Sequence, residues 1–228
     1  MSIDSNDSSF PQAPNVLLEV KQISHEFDYP LFKNISFDLL EGNSIAIIGM
    51  SGSGKSTLLN ILSSLLNPKD GSVIYEDKDL YALKNSKLLN IRRKDFGIIF
   101  QAHYLFRGFS ADENLQIATL LSQKKMDDNL LSSLNIEHVM KQGVGELSGG
   151  QQQRLSIARV LTKQPNIIFA DEPTGNLDKK TAAEVMNTLF DYVKNNNAGL
   201  ILVTHEDEMA FECDKVYKLS DLEFKELK

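Results

Sequence analysis

The sequence predicts an α/β fold: a mixed, mainly parallel sheet covered by helices, preceded by an antiparallel β subdomain and interrupted by a helical insert. Three patterns carry that prediction. Apolar runs of strand length at Ser44–Ile48, Phe96–Phe100, Asn166–Ala170 and Leu200–Thr204 alternate with helical stretches, as in a parallel sheet buried on both faces. Ahead of them, Leu17–Ser24 and Leu31–Leu39 alternate apolar and polar residues, the mark of half-exposed antiparallel strands. From about Ala102 to Gly145 the spacing is helical, and no strand pattern interrupts it.

Taken in order, Met1–Pro14 is polar, without an apolar core or a basic start, and reads as a disordered lead-in rather than a secretory signal. Residues 15–228 then read as one domain, long enough to bury a substantial interior. After Ser44–Ile48 comes a helix from Thr57 to Leu62, a strand at Ser72–Tyr75 and a helix at Asn85–Lys94. Amphipathic spacing predicts helices over Asp112–Leu121 and Asp127–Leu134, and a further helix covers Gly149–Lys163, so the helical subdomain spans about 102–163. Lys179–Lys194 is the last helix before the strand Leu200–Thr204, and the residues after Thr204 read as a short tail.

Composition narrows the class. No stretch approaches the roughly 18 consecutive apolar residues of a membrane span. A single cysteine, Cys213, suits a reducing cytoplasm and reads as a small buried hydrophobe. The formal net charge of −7 disfavours broad nucleic-acid binding, and the one notable basic cluster, Arg92–Lys94, reads as a solvated helix end.

Residues Gly49–Ser56 spell G-M-S-G-S-G-K-S, a match to G-x-x-x-x-G-K-[ST] placed between a buried strand and a helix. That context predicts a P-loop NTPase core. Gly49, Gly52 and Gly54 let the backbone turn tightly so that N–H groups converge on phosphate oxygens, with Ser51 and Ser53 in the same loop. The helix beginning at Thr57 points its positive end at the same anion. Lys55 supplies an ammonium for the β and γ phosphates, and Ser56 a hydroxyl for Mg²⁺. Charge-assisted hydrogen bonds contribute roughly 1.5–3 kcal/mol each, and micromolar affinity needs about 8 kcal/mol, so three or four such contacts suffice.

Downstream, the apolar run Ile167–Ala170 ends in Asp171-Glu172. Neighbours along a strand face opposite ways, so two adjacent acids take separate tasks. Asp171 is expected in the Mg²⁺ shell, and Glu172 is expected to orient or deprotonate the attacking water. Without the upstream loop, the same residues would read equally well as an acidic turn.

Leu147-Ser-Gly-Gly-Gln151, followed by Gln-Gln-Arg-Leu-Ser-Ile-Ala-Arg159, opens a helix with Ser148 as N-cap and Gly149 and Gly150 freeing the backbone. Here the chain resembles the ATP-binding cassette family, whose signature is this pentapeptide, from Leu17 to Leu219. The resemblance implies that Gln101 senses Mg²⁺ and contacts a membrane partner, that Leu177-Asp178 couples two sites, and that His205 contacts the γ-phosphate. It also implies that Ser148, Gly149, Gly150 and Gln151 of one subunit complete the ATP site of another, in a head-to-tail homodimer. Lys55, Gln101, Glu172 and His205 are then the expected catalytic set, and Ser56, Gln101 and Asp171 the expected metal set. An aromatic residue before the second strand should stack on adenine; Phe27 is preferred over Tyr29. Gln142–Glu146 departs from the family in lacking a proline before the signature.

The stretch Asp171-Glu-Pro-Thr-Gly-Asn-Leu-Asp178 is similar to that of the lipoprotein-releasing, macrolide-exporting and cell-division branch. The resemblance implies an ATPase subunit, peripheral on the cytoplasmic face of the inner membrane, that drives a separate permease and binds no nucleic acid. An importer subunit, a cytoplasmic cassette acting on nucleic acid or ribosomes, and a scaffold without turnover are the alternatives. Leu105, Phe106 and Phe109 are either docking residues for the permease or the core of the insert.

Overall fold

A computed structural model describes residues 15–228; the lead-in expected at 1–14 lies outside the described residues. In chain order, β1 (Val16–Glu26) and β2 (Pro30–Leu40) precede β3 (Ser44–Ile48) and α1 (Lys55–Leu62). Next come β4 (Asp70–Tyr75), the short β5 (Lys78–Asp79), α2 (Asn85–Lys94) and β6 (Phe96–Ile99). The helical block holds α3 (Ala111–Ser122), α4 (Asp128–Ser133) and α5 (Gly149–Leu161). The chain then forms β7 (Ile167–Asp171), α6 (Lys179–Asn195), β8 (Gly199–Val203), α7 (Asp207–Ala210), β9 (Lys215–Ser220) and β10 (Glu223–Glu226).

Two sheets form. The antiparallel one runs β2-β1-β4-β5, and the larger one runs β10-β9-β3-β8-β7-β6, parallel throughout except for the β9–β10 hairpin. Because successive strand residues face opposite ways, β3 sends Ile45 and Ile47 to one side and Ala46 and Ile48 to the other. The first side packs against Leu58 and Leu62 of α1 and the inner face of the antiparallel sheet. The second packs against α5 and α6 and takes in Leu115 of α3 and Leu130 of α4, so the helical block shares a core with the sheet.

Parallel register decides where the chemistry can sit. Ile47 of β3 lies beside Val203 of β8, and Asp171 of β7 lies beside Val203 on its other side. The carboxyl ends of three strands thus come level, and the loops leaving them start from one edge, the usual place for a ligand in such sheets.

Several sequence expectations shift. The tail after Thr204 is part of the fold: β9 lies parallel to β3 with Val216 and Leu219 fully buried. A six-residue strand with lysines at 215 and 218 carries a weak periodic signal, and its partner lies far back in the chain. The strand expected at Asn166–Ala170 runs Ile167–Asp171, which puts Asp171 on the sheet. One antiparallel bridge, Ser110 with Gly143, closes the base of the helical block. Ser110 also caps α3 in a capping box with Glu113, as the spelling S-x-x-E allows.

Arg93 and Lys94 are the solvated helix end that was expected, whereas Arg92 is half-buried and its carbonyl accepts a hydrogen bond from Lys163. Cys213 is buried, and burial pushes its thiol up to about 12, as befits an inert packing residue. Of the three residues with two readings, Leu105 packs on the core, while Phe106 and Phe109 remain 47% and 43% exposed.

Candidate functional site

The loops from β3, β7 and β8 enclose a cavity of about 480 Å³. Its floor is the loop Ser51–Thr57, with Ser51, Gly52, Gly54, Lys55, Ser56 and Thr57 all on the wall. Gly54 caps α1 in a left-handed conformation, φ 97°, that a side chain would resist. Gly49 is also required by packing: a Cβ there would lie 2.3 Å from the carbonyl oxygen of Leu219 in β9. The neighbouring strand excludes a side chain at 49. Gly49 and Ser53 do not line the cavity themselves.

Lys55 is buried, and its ammonium donates to the carbonyls of Gly49 (2.8 Å) and Met50 (3.0 Å). Two loop carbonyls satisfy the charge and hold it over the cavity, with a third donor position left for an incoming anion. Ser56 and Asp171 share the cavity wall. Burial pushes the Asp171 carboxyl above its ordinary range; the Ser56 hydroxyl opposes this, Glu172 adds to it and Lys55 opposes it. A desolvated carboxylate beside a hydroxyl is a carboxylate that a cation would stabilise. Gln101, two residues beyond β6, faces the same space.

Glu172 is the first residue past β7. Its amide donates to Val203 (2.9 Å), and its φ of 49° is left-handed, a conformation that costs roughly 1–3 kcal/mol for a non-glycine residue. That turn aims the side chain at His205, whose Nδ1 lies 2.8 Å from Glu172 Oε1. Glu172 is 14% exposed and His205 67%, so the carboxylate is sheltered and the ring reaches out. The hydrogen bond to Glu172, followed by its charge, raises the His205 pKa above 6.5.

A raised native pKa stabilises the fold fully below the unfolded value, and that contribution disappears as pH climbs through the native value. Solvent screening of the ring keeps it below about 1 kcal/mol. Urea unfolding of the wild type and His205→Ala between about pH 6 and pH 9 should therefore show a gap that narrows as pH rises. A gap independent of pH would mean that the pair does not form in solution.

At the far wall, Phe27, Tyr29 and Leu31 face the cavity. Phe27 and Tyr29 are similarly exposed, at 59% and 63%, but among the described residues only Phe27 has aromatic support: the His25 ring lies 4.9 Å away at 84°. His25 is buried, neither of its nitrogens has a hydrogen-bond partner among the described residues, and burial keeps it below its ordinary pKa. It is a neutral prop behind Phe27.

Ser148, Gly149, Gly150, Gln151 and Asp178 do not line this cavity. Ser148 caps α5, its hydroxyl accepting from the Gln151 amide (3.3 Å) while Gln151 Oε1 accepts from the Ser148 amide (2.8 Å). A Cβ at Gly149 would meet nothing within 4 Å, so the helix start is open to solvent. At Gly150 it would touch Leu177, the neighbour of Asp178. Asp178 caps α6 through the amides of Lys180 and Thr181 (3.1 Å each) and accepts from the Thr181 hydroxyl (2.6 Å); these bonds, the Thr181 hydroxyl first, hold its pKa below the ordinary value. Leu31 and Val203 are lining residues that sequence reasoning missed; ordinary strand apolar residues carry no mark of facing a site.

A family model described as ABC transporter matches residues 32–175. Over 216 residues, 90% of this chain, the sequence is 38% identical to the lipoprotein-releasing system ATP-binding protein LolD of Geobacter metallireducens, covering 96% of that protein. It is 36% identical to the macrolide export ATP-binding/permease protein MacB of Wolinella succinogenes, over 90% of this chain and 33% of that one. Among solved structures, a dimeric post-hydrolysis state of the ATP-binding cassette MJ0796 bound to ADP and Pi matches with a TM-score of 0.84 at 30% identity, over 93% of this chain and 99% of that one.

Proposed function

The chain belongs to the ABC transporter family, and from that premise we propose that it is the ATP-hydrolysing subunit of a lipoprotein-releasing type of transporter, driving a separate membrane permease. One observation carries the reading. Lys55, Ser56, Asp171, Glu172 and His205 meet in one cavity, while the start of α5 stays outside it and exposed, available to a second copy.

In this mechanism the amides of residues 51–56 and the positive end of α1 receive the phosphates, and Lys55 turns its ammonium toward them. Phe27, backed by His25, stacks on the adenine and leaves Tyr29 at the rim. The hydroxyl of Ser56, the carboxylate of Asp171 and the side-chain oxygen of Gln101 form an all-oxygen donor set that fits Mg²⁺, and the burial of Asp171 favours a cation there. Among the described residues no cluster of three or more His, Cys, Asp or Glu competes for a metal. Ser56, Asp171 and Gln101 would hold Mg²⁺, which would supply neutralisation of charge developing on the phosphates. Glu172 orients the attacking water and accepts its proton, and His205 both anchors Glu172 and reaches toward the γ-phosphate. Ser148, Gly149 and Gly150 of a second copy close over the triphosphate, giving a head-to-tail dimer that ATP holds shut and hydrolysis releases.

The permease is expected to dock beside Gln101, where Phe106 and Phe109 stand exposed with ring centroids 5.9 Å apart. No described helix is long and apolar enough to cross a membrane; a subunit that drives a permease from ATP would act from the cytoplasmic face. Pull-down from solubilised membranes tests the assignment. The tagged wild type should retain an integral membrane protein that Phe106→Asp/Phe109→Asp loses, with ATP binding unchanged. Recovery of nucleic acid or ribosomes in its place would overturn it.

A further inference from the structure

We infer that Gln153 is a positioning residue for Glu172, holding from the buried face of α5 the loop that carries it. Gln153 is 1% exposed, and its Nε2 donates to the carbonyl of Pro173 at 2.7 Å. Among the described residues its Oε1 has no partner, and the bond to Pro173 is the one that its buried amide makes there. An amide that only filled space would be replaced at a gain by an apolar side chain of the same length.

The bond falls where the loop needs it. Glu172 is left-handed, and such a conformation persists only where the surroundings over-determine it. Its amide is tied to Val203, and its carbonyl accepts from Gly175 at 3.3 Å. Pro173 has no N–H to contribute, so its carbonyl is the remaining backbone handle next to Glu172, and Gln153 takes it. The holder is itself fixed. At three-residue intervals along the same helix, Ser156 donates to the His103 carbonyl (3.0 Å) and Arg159 to that of Tyr104 (2.8 Å), which clamps α5 to the segment after Gln101. Gln153 therefore acts from a rigid post, and losing its donor lets the loop relax out of the geometry in which Glu172 meets His205.

The inference rests on Glu172 having the role proposed above, and one experiment separates the two. In the full-length chain, Gln153→Met keeps the length of the side chain and removes the donor, while Gln153→Asn keeps the amide on a shorter stem that falls short of Pro173. Both should lower kcat about 10- to 100-fold with KM for ATP unchanged, the signature of a misplaced group. The titration midpoint of His205, followed by NMR, should also fall toward the ordinary histidine value as its contact with Glu172 loosens. Unchanged kcat in either folded variant, an equal change in kcat and KM, or an unmoved His205 midpoint would overturn the inference. Glu172→Gln is assayed alongside. Full activity in that variant sinks the role of Glu172, whereas an inactive Glu172→Gln beside fully active Gln153 variants sinks the positioning role alone.

Discussion

Glu172→Gln should cut ATP turnover by roughly 10²–10⁴-fold while leaving ATP binding intact and trapping a dimer. The substitution is nearly isosteric at a sheltered position, and an amide can still hydrogen-bond His205 Nδ1, now 2.8 Å from the carboxylate. The Lys55 ammonium, held by Gly49 and Met50, and the side chains of Ser56 and Asp171 on the cavity wall do not involve the changed atoms. What disappears is the ability to take a proton from water. ATP then stays bound between two copies, and the bridge that hydrolysis would remove persists. Steady-state turnover measures the first effect, and size-exclusion chromatography with and without ATP measures the second. Unchanged turnover would take Glu172 out of the proposed chemistry.

Ser148→Arg has an equally large expected effect by a different route. Ser148 is exposed and lies outside the cavity, so one copy should bind ATP as tightly as before. A guanidinium at the opening of α5 blocks the close approach of that helix start to the triphosphate of the second copy, so hydrolysis should fall to background and the ATP-dependent dimer should not form. The lost N-cap costs about 1 kcal/mol, too little against a typical folding stability of about 5–15 kcal/mol to explain an inactive protein by unfolding. Fluorescent-nucleotide titration of the monomer and a hydrolysis assay separate these quantities. Loss of monomer binding would show that Ser148 belongs to the nucleotide site of its own chain.

Most of the fold was legible because its signals are local. Alternation marks β1 and β2, apolar runs mark β3, β7 and β8, amphipathic spacing marks α3, and the spelling around Ser148 marks the start of α5. The glycine-rich loop between β3 and α1 was legible for the same reason: consecutive residues write it. β9 was missed because its reason to be a strand is the free edge of β3, and Lys215–Ser220 by itself does not state which edge it will fill.

The sequence alone determined that this chain carries a G-x-x-x-x-G-K-[ST] loop, an acidic strand end and a second glycine-rich helix start, because each is a contiguous motif written by neighbours in the chain. Only the tertiary structure decided how they meet. The register of β7 against β8 sets Glu172 beside His205. The passage of Leu219 forces glycine at 49. His25 backs Phe27, and Gln153 reaches Pro173 across twenty positions. Each is a single contact between distant residues, and one such contact imposes no periodicity or composition on the sequence around it.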